Sequence, residues 1–256
     1  MPAGSDSETK AAQVVLDVRP TPADVTAAAA AHIVDAAAVA VAAAGRFTIA
    51  LSGGSTPRAL YTLLATTPYA SRIDWSRVHV FWGDERCVPP DHPGSNYRMT
   101  REVLLDPVKI PPANVHRIHG EDEPHSAAAA YDGALRQAFP VSPAQFDLML
   151  LGMGDNGHTA SLFPGLTAVQ ESARWVVAEY VAEVSMWRVT LTPAIINAAA
   201  HVLLLVAGAD KAPMLRRVLE GPRDPNALPV QIVKPAGQLT WLVDAAAASH
   251  LTRFRG

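Results

Sequence analysis

The sequence predicts an α/β fold with a mainly parallel sheet and helices on both of its faces. Three observations predict it. Five short apolar runs recur along the chain: FTIAL (47–51), VHVFW (78–82), FDLMLL (146–151), VLLLVA (202–207) and LTWLV (239–243). Each runs into Gly or Asp within two residues, as strands buried on both faces do. Helix-start signals lie between them, and strand–helix–strand alternation is the pattern of parallel sheets. In such sheets ligands bind beyond the carboxyl ends of strands, so the residues after each run are where chemistry is expected.

Composition sets the outer bounds. A chain of 256 residues can bury one sizeable core, and a single domain over residues 1–256 is expected, with 1–15 as an N-terminal tail. The net charge is −3 without any block of like charges, which argues against a nucleic-acid or membrane-surface footprint. Cys87 is the only cysteine, so no internal disulfide is possible. Together with the polar, acidic start MPAGSDSETK, this points to a reducing, cytoplasmic setting.

Taken in order, the alanine-rich stretch 23–44 reads as a soluble helix, because Asp24, His32 and Asp35 interrupt it. After 47–51 comes SGGSTP (52–57). Ser52, Gly53, Gly54, Ser55 and Thr56 would let a backbone approach an anion closely. Thr56 is expected to cap a helix with Pro57 in its first position, aiming free N–H groups at the loop. The alternative is a tight turn with a good cap. No Gly-Lys-Ser/Thr follows, so this is not a nucleotide P-loop.

After 78–82, Asp84, Glu85 and Arg86 are consecutive charges at a strand end. They read either as a solvated end or as a substrate-facing acid and cation. Cys87 reads as a structural thiol, since no histidine neighbours it in sequence. Ser95 is expected to cap a helix over NYRMTREVLL. His116, His119 and His125 lie near Glu121, Asp122 and Glu123, but their spacing matches no zinc pattern and no metal is expected.

After 146–151 comes GMGDNGHTASLFPG (152–165). Its G-x-G-x-x-G is not read as a dinucleotide fingerprint, because Pro164 and Gly165 stop any long helix behind it. The glycines would instead clear space around His158, a histidine able to act as general base near neutral pH; the alternative is a histidine that caps a turn. Arg188 lies in the strand-like SMWRVTLTP (185–193), where Thr192 and Pro193 repeat the helix-start signature. In GADKAPMLRR, Lys211 stands in a first helical turn, against the helix dipole; this reads either as a surface lysine, the stronger reading from this segment alone, or as a local conflict of the kind function leaves.

These loops together resemble the 6-phosphogluconolactonase family, within the group that includes glucosamine-6-phosphate deaminase. The segments that carry the resemblance are LSGGSTP (51–57), FWGDERCVPPDHPGSN (81–96), GMGDNGHTASLFPG (152–165), RVTLT (188–192) and GADKA (208–212). The resemblance implies a three-layer α/β/α sandwich with a Rossmann-like sheet, and hydrolysis of 6-phospho-D-glucono-1,5-lactone in the pentose phosphate pathway without metal or cofactor. It implies His158 as base, Arg188 and Lys211 on the phosphate, residues 53–56 on the substrate, and Asp84 and Arg86 lining the pocket. One departure stands out. The family carries an acid two residues before the histidine, and here that position is Asn156. Asn156, Asp155 and Asp84 are then the candidate partners of His158. The expected partner molecule is a small sugar-phosphate lactone, and the chain a monomer or homodimer. Two other readings stay open: a sugar-phosphate deaminase/isomerase, and a non-catalytic sugar-phosphate sensor. The sensor would need a DNA-binding module that residues 1–46 do not offer.

Overall fold

In a computed structural model, residues 13–140 and 145–253 are described. Strand β1 is Gln13–Arg19. The tail expected over 1–15 thus ends sooner: Gln13, Val14 and Val15 already belong to the sheet, and residues 1–12 lie outside the described residues. Helix α1 is Pro22–Ala44, opened by a reciprocal cap in which Thr21 Oγ1 accepts from Asp24 N and the Asp24 carboxylate accepts from Thr21 N. It closes at Gly45, whose φ of 72° suits only a residue without Cβ strain. By length and composition α1 could cross a membrane. Here its Val25, Ala29, Ala30, Ile33, Val34 and Ala37 are buried in the common core.

Strand β2 (Phe47–Leu51) leads into α2 (Ser55–Leu64). The cap differs from the sequence expectation. Gly54, not Thr56, is the N-cap, with φ of 109° and no side chain to bond the first turn. The helix begins two residues early because glycine alone tolerates that turn. Strands β3 (Val78–Trp82) and β4 (Asp84–Arg86) follow, separated only by Gly83. Helix α3 (Asn96–Thr100) is capped by Ser95 as expected, its Oγ accepting from Arg98 N at 3.0 Å. It continues through a π turn (Arg101–Leu105) into α4 (Asp106–Val108). Then come α5 (Pro124–Ala138), β5 (Leu148–Gly152), β6 (Val176–Val181) and β7 (Met186–Leu191).

Helix α6 (Pro193–Ile196) is one turn long. Thr192 stands at its N-cap, yet its hydroxyl donates to Arg174 O at 2.6 Å and caps nothing. The last elements are β8 (His201–Val206), α7 (Ala212–Glu220) and β9 (Gln238–Asp244).

Six strands form one parallel sheet in the order β1-β9-β8-β5-β2-β3, flanked by helices, and β4-β7-β6 form a small antiparallel sheet. All five residues of β2 are buried, as parallel strands covered on both faces require. From β2 the chain builds outward to β3 on one side, and through β5, β8 and β9 on the other. The crevice beyond the carboxyl ends of β2 and β5 is therefore a topological switch point, the place where open α/β sheets bind ligands.

Candidate active site

A cavity of about 580 Å³ opens at that crevice. Its walls are the loop after β2, strand β4, the start of α3, the loop after β5, and the tip and second strand of the β6–β7 hairpin. The loop after β2 is held from behind: the Tyr61 hydroxyl donates to Ser52 O at 2.8 Å and accepts from Ser52 N at 2.9 Å. Gly53 cannot carry a side chain, since a Cβ there would overlap the Asn96 amide. Among the described residues, the N–H groups of Gly53 and Gly54 serve no hydrogen bond. They are free donors at the start of α2, where the helix dipole also favours an anion.

Strand β4 shows how alternation sorts three consecutive charges. In the antiparallel ladder Asp84 faces Thr190 and Arg86 faces Arg188. Side chains two apart share a face of a strand, so Asp84 and Arg86 reach the cavity together with Arg188. Glu85 points the other way and is buried. Its carboxylate accepts from Arg86 N, Asn96 N, Tyr97 N and Ser95 Oγ, tying β4 to the start of α3. Burial pushes its pKa up, against the opposite pull of those four donors. Asp84 accepts from Ser161 Oγ at 2.6 Å. Arg188 has no hydrogen-bond or ion-pair partner among the described residues, and both Arg86 and Arg188 keep a buried Nε unpaired. Burial lowers the Arg188 pKa, and Asp84 opposes that.

His158 stands between these walls. Phe163 stacks on its ring at 4.1 Å between centroids. A Cβ at Gly154 would overlap the same ring, so that glycine is a steric necessity. Gly157 has φ of 80°, which turns the chain toward the histidine. Ala160 also lies in the left-handed region, with φ of 46°, an uncommon cost for a residue with a Cβ. Of the three glycines expected to clear space for the ring, Gly154 alone does so: a Cβ at Gly157 would meet Leu228, and one at Gly152 would meet nothing within 4 Å.

The ring's hydrogen bonds settle its tautomer. Asn156 Oδ1 lies 2.7 Å from His158 Nδ1 and also accepts from His158 N at 3.1 Å. Asn156 Nδ2 donates to Glu183 Oε2 at 2.9 Å. An oxygen facing Nδ1 requires that Nδ1 carry the proton, which leaves the lone pair on Nε2. Burial lowers the His158 pKa. Asp84 and Glu183 pull it up, while Lys211 and Arg188 push it down further.

Of the residues expected from sequence, Ser52, Gly53, Gly54, Asp84, Arg86, Asn156, His158 and Arg188 line the cavity. Ser55, Thr56 and Lys211 do not. Ser55 faces a neighbouring groove shared with Arg58 and Arg98. Lys211 precedes α7, held in an ion pair by Asp155 at the rim. Of the three candidate partners of His158, Asn156 alone bonds the ring. Sequence reasoning missed Ser161, Phe163, Asn96 and Glu183 as lining residues. Ser161 and Phe163 sit within the His158 loop and could have been read from it. Asn96 and Glu183 reach the site only through the fold.

The chain has known relatives. Residues 20–241 match the family described as glucosamine-6-phosphate isomerases/6-phosphogluconolactonase. A 6-phosphogluconolactonase from Nostoc sp. is 46% identical over 212 residues, covering 81% of this chain and 86% of that one. One from Haemophilus influenzae is 39% identical over 204 residues, covering 79% and 87%. The solved 6-phosphogluconolactonase from Trypanosoma cruzi superposes with a TM-score of 0.84 at 30% identity, covering 94% of this chain and 98% of that one. A monomeric glucosamine-6-phosphate deaminase superposes at 0.78 with 20% identity over 93% of this chain and all of that one, a likeness of fold alone. The chain therefore belongs to the glucosamine-6-phosphate isomerase/6-phosphogluconolactonase family.

Proposed function

We propose that this chain hydrolyses 6-phospho-D-glucono-1,5-lactone to 6-phosphogluconate, a step of the pentose phosphate pathway, with His158 as general base. The observation that carries the role of His158 is its Nδ1–Asn156 Oδ1 hydrogen bond, which leaves Nε2 as the basic nitrogen of a ring lining the cavity. Nε2 takes a proton from water as the water oxygen bonds to the lactone carbonyl carbon. The tetrahedral intermediate then collapses. The bond from that carbon to the ring oxygen breaks, and the ring oxygen takes the proton back from the imidazolium. The lactone is already reactive, so positioning and one base are sufficient.

The anionic end of the substrate finds Arg188 and the N–H groups of Gly53 and Gly54 within one cavity. Lys211 would join them only by leaving Asp155. Cys87 is no rival nucleophile, since burial raises its pKa to about 11 and keeps it a thiol. A lone thiol also suits a reducing compartment, and the cytoplasm is the proposed one.

The test is hydrolysis of freshly generated lactone, corrected for spontaneous opening, by wild type and His158→Ala. The variant should lose roughly 10²–10⁴-fold in kcat, the usual worth of a general base. Because burial keeps the ring neutral, the acid limb of kcat/KM should lie below pH 6.5. A variant with wild-type kcat overturns the assignment. Release of ammonia from glucosamine 6-phosphate would favour the deaminase reading instead.

A further inference from the structure

We infer that Glu183 is a positioning residue for the reaction, acting through Asn156 to fix which nitrogen of His158 is basic. Nothing in the sequence around the histidine announces it. Glu183 lies in a single turn of 3-10 helix (Ala182–Val184) at the tip of the β6–β7 hairpin. It meets the catalytic loop across the cavity mouth, where Val184 also contributes to the wall.

The argument begins with the difference between an aspartate and an asparagine. A carboxylate presents oxygen to Nδ1 whichever way it is turned, so the ring tautomer is fixed without help. An amide has one oxygen and one NH₂ of nearly the same shape. Turned the wrong way, Asn156 would offer an N–H to Nδ1, the ring proton would move to Nε2, and the base would be lost. Two contacts decide the orientation. The backbone N–H of His158 donates to Oδ1 at 3.1 Å, and Nδ2 donates to Glu183 Oε2 at 2.9 Å. An ionised carboxylate only accepts, so Glu183 cannot pair with the oxygen of the amide. Its charge also strengthens the bond to Nδ2. Glu183 thus acts as a polarity key for Asn156, and the amide transmits the setting to the ring.

Charge reaches the ring as well as geometry. Asp84 and Glu183 favour the imidazolium, while Lys211 and Arg188 disfavour it. Asp155, also at the rim, is engaged by Lys211. Asp155 also acts on the ring. Removing the Glu183 charge therefore removes one carboxylate influence of three, and the sign of the resulting pH shift is fixed: the ring stays neutral to lower pH.

The inference rests on His158 being the base, but the tautomer can be read without turnover. The experiment compares Glu183→Gln, Glu183→Ala and Glu183→Lys, each in the wild-type and Asn156→Asp backgrounds. The readouts are the ¹⁵N shifts of the His158 ring in free enzyme, then kcat, KM and the pH profile. Glu183→Gln keeps an acceptor. It should retain the Nδ1–H tautomer and most of kcat, with the acid limb moved a few tenths of a unit toward lower pH. Glu183→Ala should lower kcat about three- to tenfold, in proportion to the fraction of rings in the wrong tautomer. Glu183→Lys places a donor against Nδ2. It should populate the Nε2–H tautomer and cost kcat about tenfold or more without raising KM, because an added cation at the mouth suits a phosphorylated substrate. In the Asn156→Asp background the kcat cost of Glu183→Ala should vanish, since a carboxylate needs no key. The inference is overturned if Glu183→Lys keeps the wild-type tautomer and kcat, or if Glu183→Ala costs the same in both backgrounds. Should the tautomer follow residue 183 while His158→Ala keeps full activity, the base assignment fails and the positioning link stands.

Discussion

The Arg188 guanidinium is cationic, half-buried and without a hydrogen-bond or ion-pair partner among the described residues. Such a charge is costly to desolvate and becomes favourable when an anion pairs with it. Arg188→Ala should therefore raise KM for the phosphorylated lactone roughly tenfold or more, the worth of one charge-assisted contact, while kcat falls much less. Unphosphorylated gluconolactone supplies the control. It should be a poor substrate for wild type, and the variant should handle it about as well as wild type does. Equal losses on both lactones would mean that Arg188 acts on the reacting carbonyl and not on the phosphate. Arg86 differs from Arg188 in one respect: its guanidinium already donates to Gly94 O at 2.5 Å. Part of its role is then to hold the loop after β4.

At the scale of elements, the join between β4 and α3 rests on two buried side chains, Asn96, whose Nδ2 donates to Asp84 O at 2.9 Å, and Glu85. Both oxygens of Glu85 are used, Oε1 by Arg86 N and Asn96 N, and Oε2 by Ser95 Oγ and Tyr97 N. Glu85→Gln is not conservative here, because its NH₂ would confront backbone donors that have nowhere to turn. We expect Gln or Ala at this position to destabilise the fold by about 2–4 kcal/mol in urea denaturation, the cost of stranding buried donors. Unchanged stability would show that water replaces the carboxylate. This join also shows where sequence reading runs out. The five apolar runs were legible to within two residues, because burial on both faces leaves an unbroken apolar signature. The His158 loop was legible because its glycines, ring and Phe-Pro-Gly are contiguous. Strand β4 has three residues, too few to show a period. Strand β1 lies at a sheet edge with Val14 and Val18 exposed, so it lacks the core signature, and its first three residues read as tail. Glu183 looks like any exposed glutamate in a turn, and its importance arises from a bond to a residue 27 positions away.

For the whole molecule, two histidines away from the cavity contribute to how the fold responds to acid. His116 stacks on Phe81 at 4.3 Å, and His201 opens β8 with Nε2 3.0 Å from Thr240 Oγ1. Burial lowers both pKa values to about 4. In the unfolded chain both titrate near 6.5. Between those values the unfolded state binds more protons, so their contribution to stability is intact above pH 6.5 and is lost as pH falls toward 4. Urea midpoints at pH 7 and pH 4.5 should show a smaller acid loss for His201→Gln, which keeps a partner for Thr240, than for wild type. An equal loss would place acid sensitivity elsewhere. A different consequence follows from the sheet order. Strand β1 pairs along its full length with β9, in register from Gln13 with Gln238 to Arg19 with Asp244. A ribosome makes β1 before β9, with the other seven strands made between them. Folding during synthesis can assemble the strands between them, yet the slot for β1 exists only once β9 has emerged. Strand β1 must wait, unpaired, until the last of the nine described strands has been made.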